Sequence, residues 1–255
     1  MVKYLLKKSY LRKSFKEVNF KDLWNSNGVF TTMWIYGKPQ KILFFKSHIN
    51  NLINSLKVYK IYNKEIKKKI IELIKKNIDK NKKYNHLLRI AFDKKYFSIS
   101  FRDKIKLGSN FQLKLVNYKR IEPEYKNLKY KFILKKLSAL NVKNTDIALC
   151  KKGMIFETGT SNLVFIKKEK IYSPKVSFYK GTNFKYLKKK INKIYFKDIF
   201  LKDLNYFDEI ILIGSGKGVT SVKNIPEINW KRKSIKVYKK FKNIYKKAIS
   251  SERII

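Results

Sequence analysis

Residues 153–174, "GMIFETGTSNLVFIKKEKIYSP", carry two apolar runs joined by a knot of small polar residues, with one glutamate, Glu157, at the end of the first run. A carboxylate among apolar neighbours is costly unless something neutralises it. Two readings stay open from these residues alone. Either the turn leaves Glu157 in water, or the fold supplies a counter-charge and must gather other elements around this hairpin.

Short runs of β-branched and aromatic residues bounded by Gly, Asn, Ser or Pro read as strands. They are "YFSISF", "FQLKLV", "GMIFE", "NLVFIKKEKIYSP" and "EIILIGS". Helical spacing predicts four helices between them. One is "SHINNLINSLKVY", capped by Ser47. A second, "NKEIKKKIIELIKKNIDK", sets Ile66, Ile70, Ile71, Leu73, Ile74 and Ile78 on one stripe. The third, "LKYKFILKKLSALN", has Tyr130, Ile133, Leu134 and Leu137 on one side, and the fourth covers 183–196. Strands and helices interleave in both halves, an α/β (α+β) chain. The polar shift and proline of "YKRIEPEYKN" put a domain boundary near Pro123, giving an N-terminal α/β domain over 1–119 and a larger C-terminal domain over 120–255.

The formal charge is +44, from 62 Lys and Arg against 18 Asp and Glu. Such a balance raises nucleic acid or an anionic membrane as partner. Arginine is scarce, however, and the lysines are scattered among Asn, Ile, Tyr and Phe, as a codon bias would spread them. The dense segments "YLKKKINK" and "WKRKSIKVYKKFKN" alternate with apolar residues and read as solvated faces of helices or strands. No specific nucleic-acid site is expected. Cys150 is the only cysteine and His48 and His86 are the only histidines, so neither a disulfide nor a metal centre is expected. No apolar run reaches bilayer length, and a cytoplasmic location is expected.

The layout Gly-x-x-x-Glu-x-x-x-x-Asn of Gly153–Asn162 resembles the signature of the class IV pyridoxal-phosphate-dependent enzymes. That group contains branched-chain aminotransferases, D-amino-acid aminotransferases and aminodeoxychorismate lyase. "NGVFTT" resembles the family's N-terminal strand, "KNLKY" the context of its Schiff-base lysine, and "EIILIGSGKGVTSV" its strand and phosphate loop. The resemblance implies a two-domain fold-type-IV enzyme with a barrel-like sheet in the C-terminal domain, acting as a homodimer with pyridoxal 5'-phosphate. It makes Lys126 the catalytic lysine, ranked above Lys129, and Glu157 the partner of the ring nitrogen. Ser161, Asn162, Thr182, Asn183, Ser215 and Gly216 become cofactor contacts, and Thr31 and Arg89 substrate contacts.

The chain departs from the family pattern where "HINNL" sets Asn51 in place of the phosphate-binding arginine, leaving a hydrogen-bond donor without charge. Lys46, Lys185 or Lys217 could restore the positive charge. The Thr31-Thr32 pair leans the expected activity toward aminodeoxychorismate lyase, which releases 4-aminobenzoate and pyruvate for folate synthesis. The alternative is transamination of a branched-chain or D-amino acid with 2-oxoglutarate. A basic nucleic-acid-binding protein, or a relative that keeps the fold and binds the cofactor weakly, are the readings from other classes.

Overall fold

A computed structural model describes residues 3–191 and 193–254. The chain divides into two compact units: Met1–Lys104 with Tyr125–Tyr130 and Ser251–Ile255, and Ile105–Glu124 with Lys131–Ser250. The sequence break expected between 119 and 120 falls inside the second unit. Its physical basis is the strand before it, which pairs into the second unit's sheet, while residues 126–128 hydrogen-bond back to the first unit's Gly28 and Phe30. Among the described residues no helix is long and apolar enough to cross a membrane.

The first unit holds β1 (Tyr4–Leu11), β2 (Glu17–Val18), β3 (Gly28–Gly37), β4 (Lys41–Ile42), β5 (Tyr84–Asp93) and β6 (Tyr96–Asp103) in one sheet, ordered β2-β1-β6-β5-β3-β4. Every pair in it is antiparallel. Alternation along β3 follows from the pleat: Val29, Met33 and Ile35 are fully buried, while Thr32, Trp34 and Tyr36 on the other face are half-buried. The buried face meets α1 (Phe45–Val58) and α2 (Ile66–Asn77), whose stripes Ile49, Leu52, Leu56 and Ile66, Ile70, Ile74 complete the core. Helix α1 begins two residues before Ser47. Its N-cap is Phe44 in the left-handed region, and the Phe44 N–H donates to the Glu252 carboxylate at 2.7 Å. The capping hydroxyl expected from sequence is replaced by a glutamate distant in the chain.

Gly28 is required by close approach: a Cβ there would lie 2.0 Å from the Phe92 carbonyl and 2.9 Å from Leu128. The same contact docks Asn127 against Val29 as an antiparallel bridge, with the Phe30 N–H donating to Lys126 O and the Leu128 N–H to Gly28 O, both at 2.9 Å. Two main-chain bonds therefore set where Lys126 sits.

The second unit is built on a ten-stranded mixed sheet. Its strands are β7 (Phe111–Asn117), β8 (Thr145–Lys151), β9 (Met154–Thr158), β10 (Asn162–Lys167), β11 (Lys170–Pro174), β12 (Tyr195–Lys197), β13 (Ile199–Phe200), β14 (Glu209–Gly214), β15 (Gly218–Ile225) and β16 (Trp230–Lys231). The path runs β12-β11-β10-β14-β15-β7-β8-β9-β13, with β16 beside β15. Phe111, Leu163, Phe165, Leu212, Val222 and Trp230 are at its core. Among the described residues of this unit are the α-helices α3 (Lys131–Ser138), α4 (Thr182–Lys190) and α5 (Lys236–Ser251). The helix expected over 183–196 stops at Lys190, and Tyr195–Lys197 beyond it are drawn into β12 by parallel pairing with β11. Helix α5, read from sequence only as a basic helix or strand face, starts on the buried Glu209 carboxylate, which accepts from the N–H groups of Val237 and Tyr238 at 2.9 and 2.8 Å.

His48 on α1 is buried, with Nδ1 3.0 Å from the Thr31 hydroxyl. Burial, and after it the charge of Lys126, pushes its pKa down to about 3. The folded state therefore holds His48 neutral where the unfolded chain, with a value near 6.5, takes up a proton. Stability from this group is complete above about pH 6.5 and is lost as pH falls toward about 3. Denaturant curves of the protein and of His48→Asn should diverge across this window, the parent gaining up to about 1.4 kcal/mol of extra slope per pH unit. Parallel curves would show that His48 is already protonated in the fold.

Candidate functional site

Two hairpin turns and a helix start come together in the second unit. The β9–β10 turn is stitched by Thr158, whose hydroxyl accepts from the N–H groups of Thr160 and Ser161 at 3.2 and 2.8 Å and donates to Ser161 O at 3.1 Å. The β14–β15 turn, Ser215–Lys217, packs against it. A Cβ on Gly214 would fall 2.5 Å from Ser161 Oγ, so only glycine lets the two turns approach this closely. Lys217 fastens them: its Nζ lies 3.1 Å from the buried Asp146 carboxylate and donates to Thr160 Oγ1 at 2.6 Å. Lys217 is thereby committed to Asp146.

Asn162 links this pair of turns to α4. Its amide donates to Tyr179 O, and its Oδ1 accepts from the Gly181 N–H at 3.0 Å. Gly181 is the N-cap of α4 and makes no side-chain cap. Asn183 donates through Nδ2 to Gly214 O and to the Tyr245 hydroxyl, both at 3.2 Å. The side chains of Asn162 and Asn183 thus brace the loops, and their possible contribution to ligand binding moves to the main chain. Ser161 differs from both: its hydroxyl is buried and has no hydrogen-bond partner among the described residues.

Glu157 sits one strand away, 5% exposed. Of the two readings of its sequence environment, burial with a counter-charge is the one realised. The counter-charge is a residue sequence reasoning passed over, Arg120, whose Nε donates to Glu157 Oε1 at 2.6 Å and whose Nη2 donates to Pro123 O at 2.6 Å. The Tyr179 N–H reaches Oε2 at 3.3 Å. One signal could have flagged Arg120. Only six residues of this lysine-rich chain are arginine, and a planar donor fork persists where carboxylate geometry requires it.

The remaining expected residues belong to the first unit. Lys126 is half-buried with Nζ 4.8 Å from the Phe30 ring centroid. Arg89 is buried, its Nη1 against Asp22 Oδ1 and its Nη2 donating to Asp22 O at 2.7 Å, with Trp24 stacked 3.6 Å from Cζ. Its Nε, buried, has no partner among the described residues. Thr31 does not share the Arg89 face. The register opposes Arg89 to Thr32, and Thr31 turns to the helix side to meet His48. Pleat alternation separates the two expected substrate contacts, and Thr32 is the threonine beside Arg89. Asn51 lies half-buried on α1.

The Amino-transferase class IV family profile matches residues 28–225. The chain belongs to the class IV aminotransferase family. Solved structures agree in fold. A branched-chain aminotransferase from the archaeon Thermoproteus uzoniensis, with norvaline, superposes at TM-score 0.76 and 15% identity over 94% of this chain and 93% of that one. The branched-chain amino acid aminotransferase of Escherichia coli gives 0.74 and 15% over 93% and 92%. A hypothetical aminotransferase from Mycobacterium tuberculosis in its PLP-bound form gives 0.69 and 13% over 96% and 99%. No curated protein matches the chain.

The Arg120–Glu157 pair is buried on both sides, with side chains 1% and 6% exposed. Replacing Arg120 by Met strands a carboxylate away from water and should cost about 3–5 kcal/mol. Adding Glu157→Gln to that variant should return most of the loss, as read by denaturant unfolding. Strictly additive losses in the double variant would contradict the coupling.

Proposed function

We propose that the protein is a pyridoxal-phosphate-dependent aminotransferase that moves an amino group between an amino acid of the branched-chain class and a 2-oxo acid. The observation that carries this reading is the buried, unpartnered hydroxyl of Ser161 between two turns locked by Lys217, beside an α4 N-terminus lacking a side-chain cap. A buried polar atom without a partner is rare and costs stability, and a phosphate would satisfy it. A helix start and an open turn offer further N–H donors to the same kind of group. The residues present therefore fit the cofactor that the family uses.

In this reading Ser161 Oγ and the main-chain N–H groups of Thr182, Asn183, Ser215 and Gly216 hold the phosphate, with Asn51 contributing a neutral hydrogen bond. Glu157 would hold the proton on the ring nitrogen, with Arg120 as its counter-charge. Lys126 would hold the cofactor through Nζ and would serve as the base and acid that takes and returns the proton at the carbon that bears nitrogen. The bound cofactor supplies the electron sink for that carbon. Arg89 and Thr32 face the substrate side of β3 and β5.

Of the threonine pair that motivates the lyase reading, Thr31 is engaged with His48 and only Thr32 shares the face of Arg89. The branched-chain aminotransferases among the fold neighbours support transamination instead.

Cofactor-loaded protein supplied with leucine, isoleucine or valine and 2-oxoglutarate should form glutamate. Lys126→Ala should abolish that turnover, and Glu157→Ala should reduce it by on the order of a hundred-fold or more. Release of 4-aminobenzoate and pyruvate from 4-amino-4-deoxychorismate, with no glutamate formed, would replace the aminotransferase by the lyase.

A further inference from the structure

Helix α5 carries none of the cofactor contacts proposed above, yet one of its side chains meets two of the segments that do. Its buried stripe is Val237, Phe241, Tyr245 and Ala248, the spacing that sets one face of a helix against a core. Tyr245 is the polar member of the stripe, and a buried phenol hydroxyl is stable where a polar partner meets it. The partner is Asn183, the second residue of α4 and 2% exposed.

An amide nitrogen carries two hydrogens. Asn183 Nδ2 donates to Gly214 O, at the end of β14, and to the Tyr245 hydroxyl, both at 3.2 Å. These two bonds fix the plane of the amide and, with it, the distance from the first turn of α4 to the end of β14. The Tyr245 ring reaches the far side of the same turn. Gly218, where β15 begins, has φ +64°, and a Cβ built there would stand 3.0 Å from Tyr245 Cε1. One side chain thus braces both ends of the Ser215–Lys217 turn: Gly214 through Asn183, and Gly218 by lying against it.

Helix α5 can act as a brace because its own start is pinned to the same strand. Glu209 opens β14, and its carboxylate accepts from the Ser234 hydroxyl at 3.0 Å as well as from the N–H groups of Val237 and Tyr238. Strand β14 therefore holds α5 at Glu209 and meets it again, through Asn183, at Gly214.

What Tyr245 positions is a set of main-chain donors beside the unpartnered Ser161 hydroxyl. The first N–H groups of a helix and those of a tight turn hold an anion together only while they converge on it, because a hydrogen bond weakens steeply with angle. The turn's own cation, Lys217, is spent on Asp146, so the turn offers geometry rather than net charge. We propose that Tyr245 is a positioning residue for a phosphate monoester held by the α4 N-terminus and the Ser215–Lys217 turn, acting through Asn183 and Gly218 to keep the two sets of N–H groups converged. The inference rests on the phosphate placement proposed above and adds a residue that the placement does not include.

Pyridoxal 5'-phosphate and pyridoxal differ by the phosphate alone, so the ratio of their dissociation constants isolates it. The ratio is measured by visible titration for the parent, Tyr245→Phe, Asn183→Ala, the double variant and Tyr238→Phe, which removes a hydroxyl elsewhere on α5. Salt is kept high enough to screen the surface of a +44 chain. Tyr245→Phe should weaken the phosphorylated ligand on the order of ten-fold and leave pyridoxal nearly unchanged. It should also shift the phosphorus NMR resonance of the bound ligand, and Tyr238→Phe should do neither. Asn183→Ala, which keeps the Tyr245 ring in place, should lower the preference likewise, and adding Tyr245→Phe to it should cost little more, since the path from the hydroxyl to Gly214 is already cut. Equal weakening of both ligands by Tyr245→Phe, or an unchanged ratio and resonance, overturns the proposal. Borohydride labelling of Lys126 on the same samples separates the two ideas. A labelled parent with no effect of Tyr245→Phe removes only the role of Tyr245, whereas an unlabelled parent with no preference for the phosphorylated ligand removes the cofactor reading and this inference with it.

Discussion

The ion pair between Arg120 and Glu157 is the constraint on which the second unit's site depends. A carboxylate at the end of β9 can be buried only with a counter-charge, and the chain supplies it from the segment that leaves β7. Arg120 also ties that segment down through Pro123 O. The pair therefore does two jobs with one set of hydrogen bonds: it gives Glu157 a counter-charge in an apolar surrounding, and it fixes the path of the chain that leaves β7. Buried pairs of this kind contribute less net stability than their Coulomb energy suggests, because both ions lose water. Their value lies in specifying one arrangement.

The same logic recurs wherever an acid is buried. Asp146 is met by Lys217 and Thr160, and Glu209 by the start of α5. In a chain with 18 acidic residues against 62 basic ones, each buried carboxylate has a local partner, while the excess lysines remain at the surface. Many of those lysines lie across aromatic rings, as Lys197 does over Tyr172 and Lys180 over Phe196, at 4.9 and 5.4 Å. Long aliphatic stems cover apolar surface while the ammonium stays wet. The scattered positive charge is compatible with the fold for this reason, and it needs no dedicated polyanion surface to explain it.

Much of the architecture was legible from period alone. The Ile66, Ile70, Ile74 stripe and the strands of the β9–β10 hairpin read directly, because each element buries one face and its spacing records which. Three features were not. The start of α1 is set by Glu252 from the far end of the chain, and the end of α4 by strand pairing with β11; both are tertiary effects that local propensity does not carry. Arg120 was invisible because its role depends on a partner 37 residues away. For the site, order and spacing of motifs pointed to Lys126, Glu157 and the turns as candidates. They could not tell a side chain that meets a ligand from one that braces a loop, as Asn162 and Asn183 do, nor which of Thr31 and Thr32 shares a face with Arg89.

Lys126 is the residue proposed to take up pyridoxal phosphate. Its role is tested most directly by adding the cofactor to purified protein, recording the visible absorption, reducing with borohydride and mapping the labelled peptide. A defined visible band with the label on Lys126 alone is the predicted result. In a chain with this many lysines the contradicting result is equally clear: no band, with label spread over exposed lysines and Lys126 unmodified.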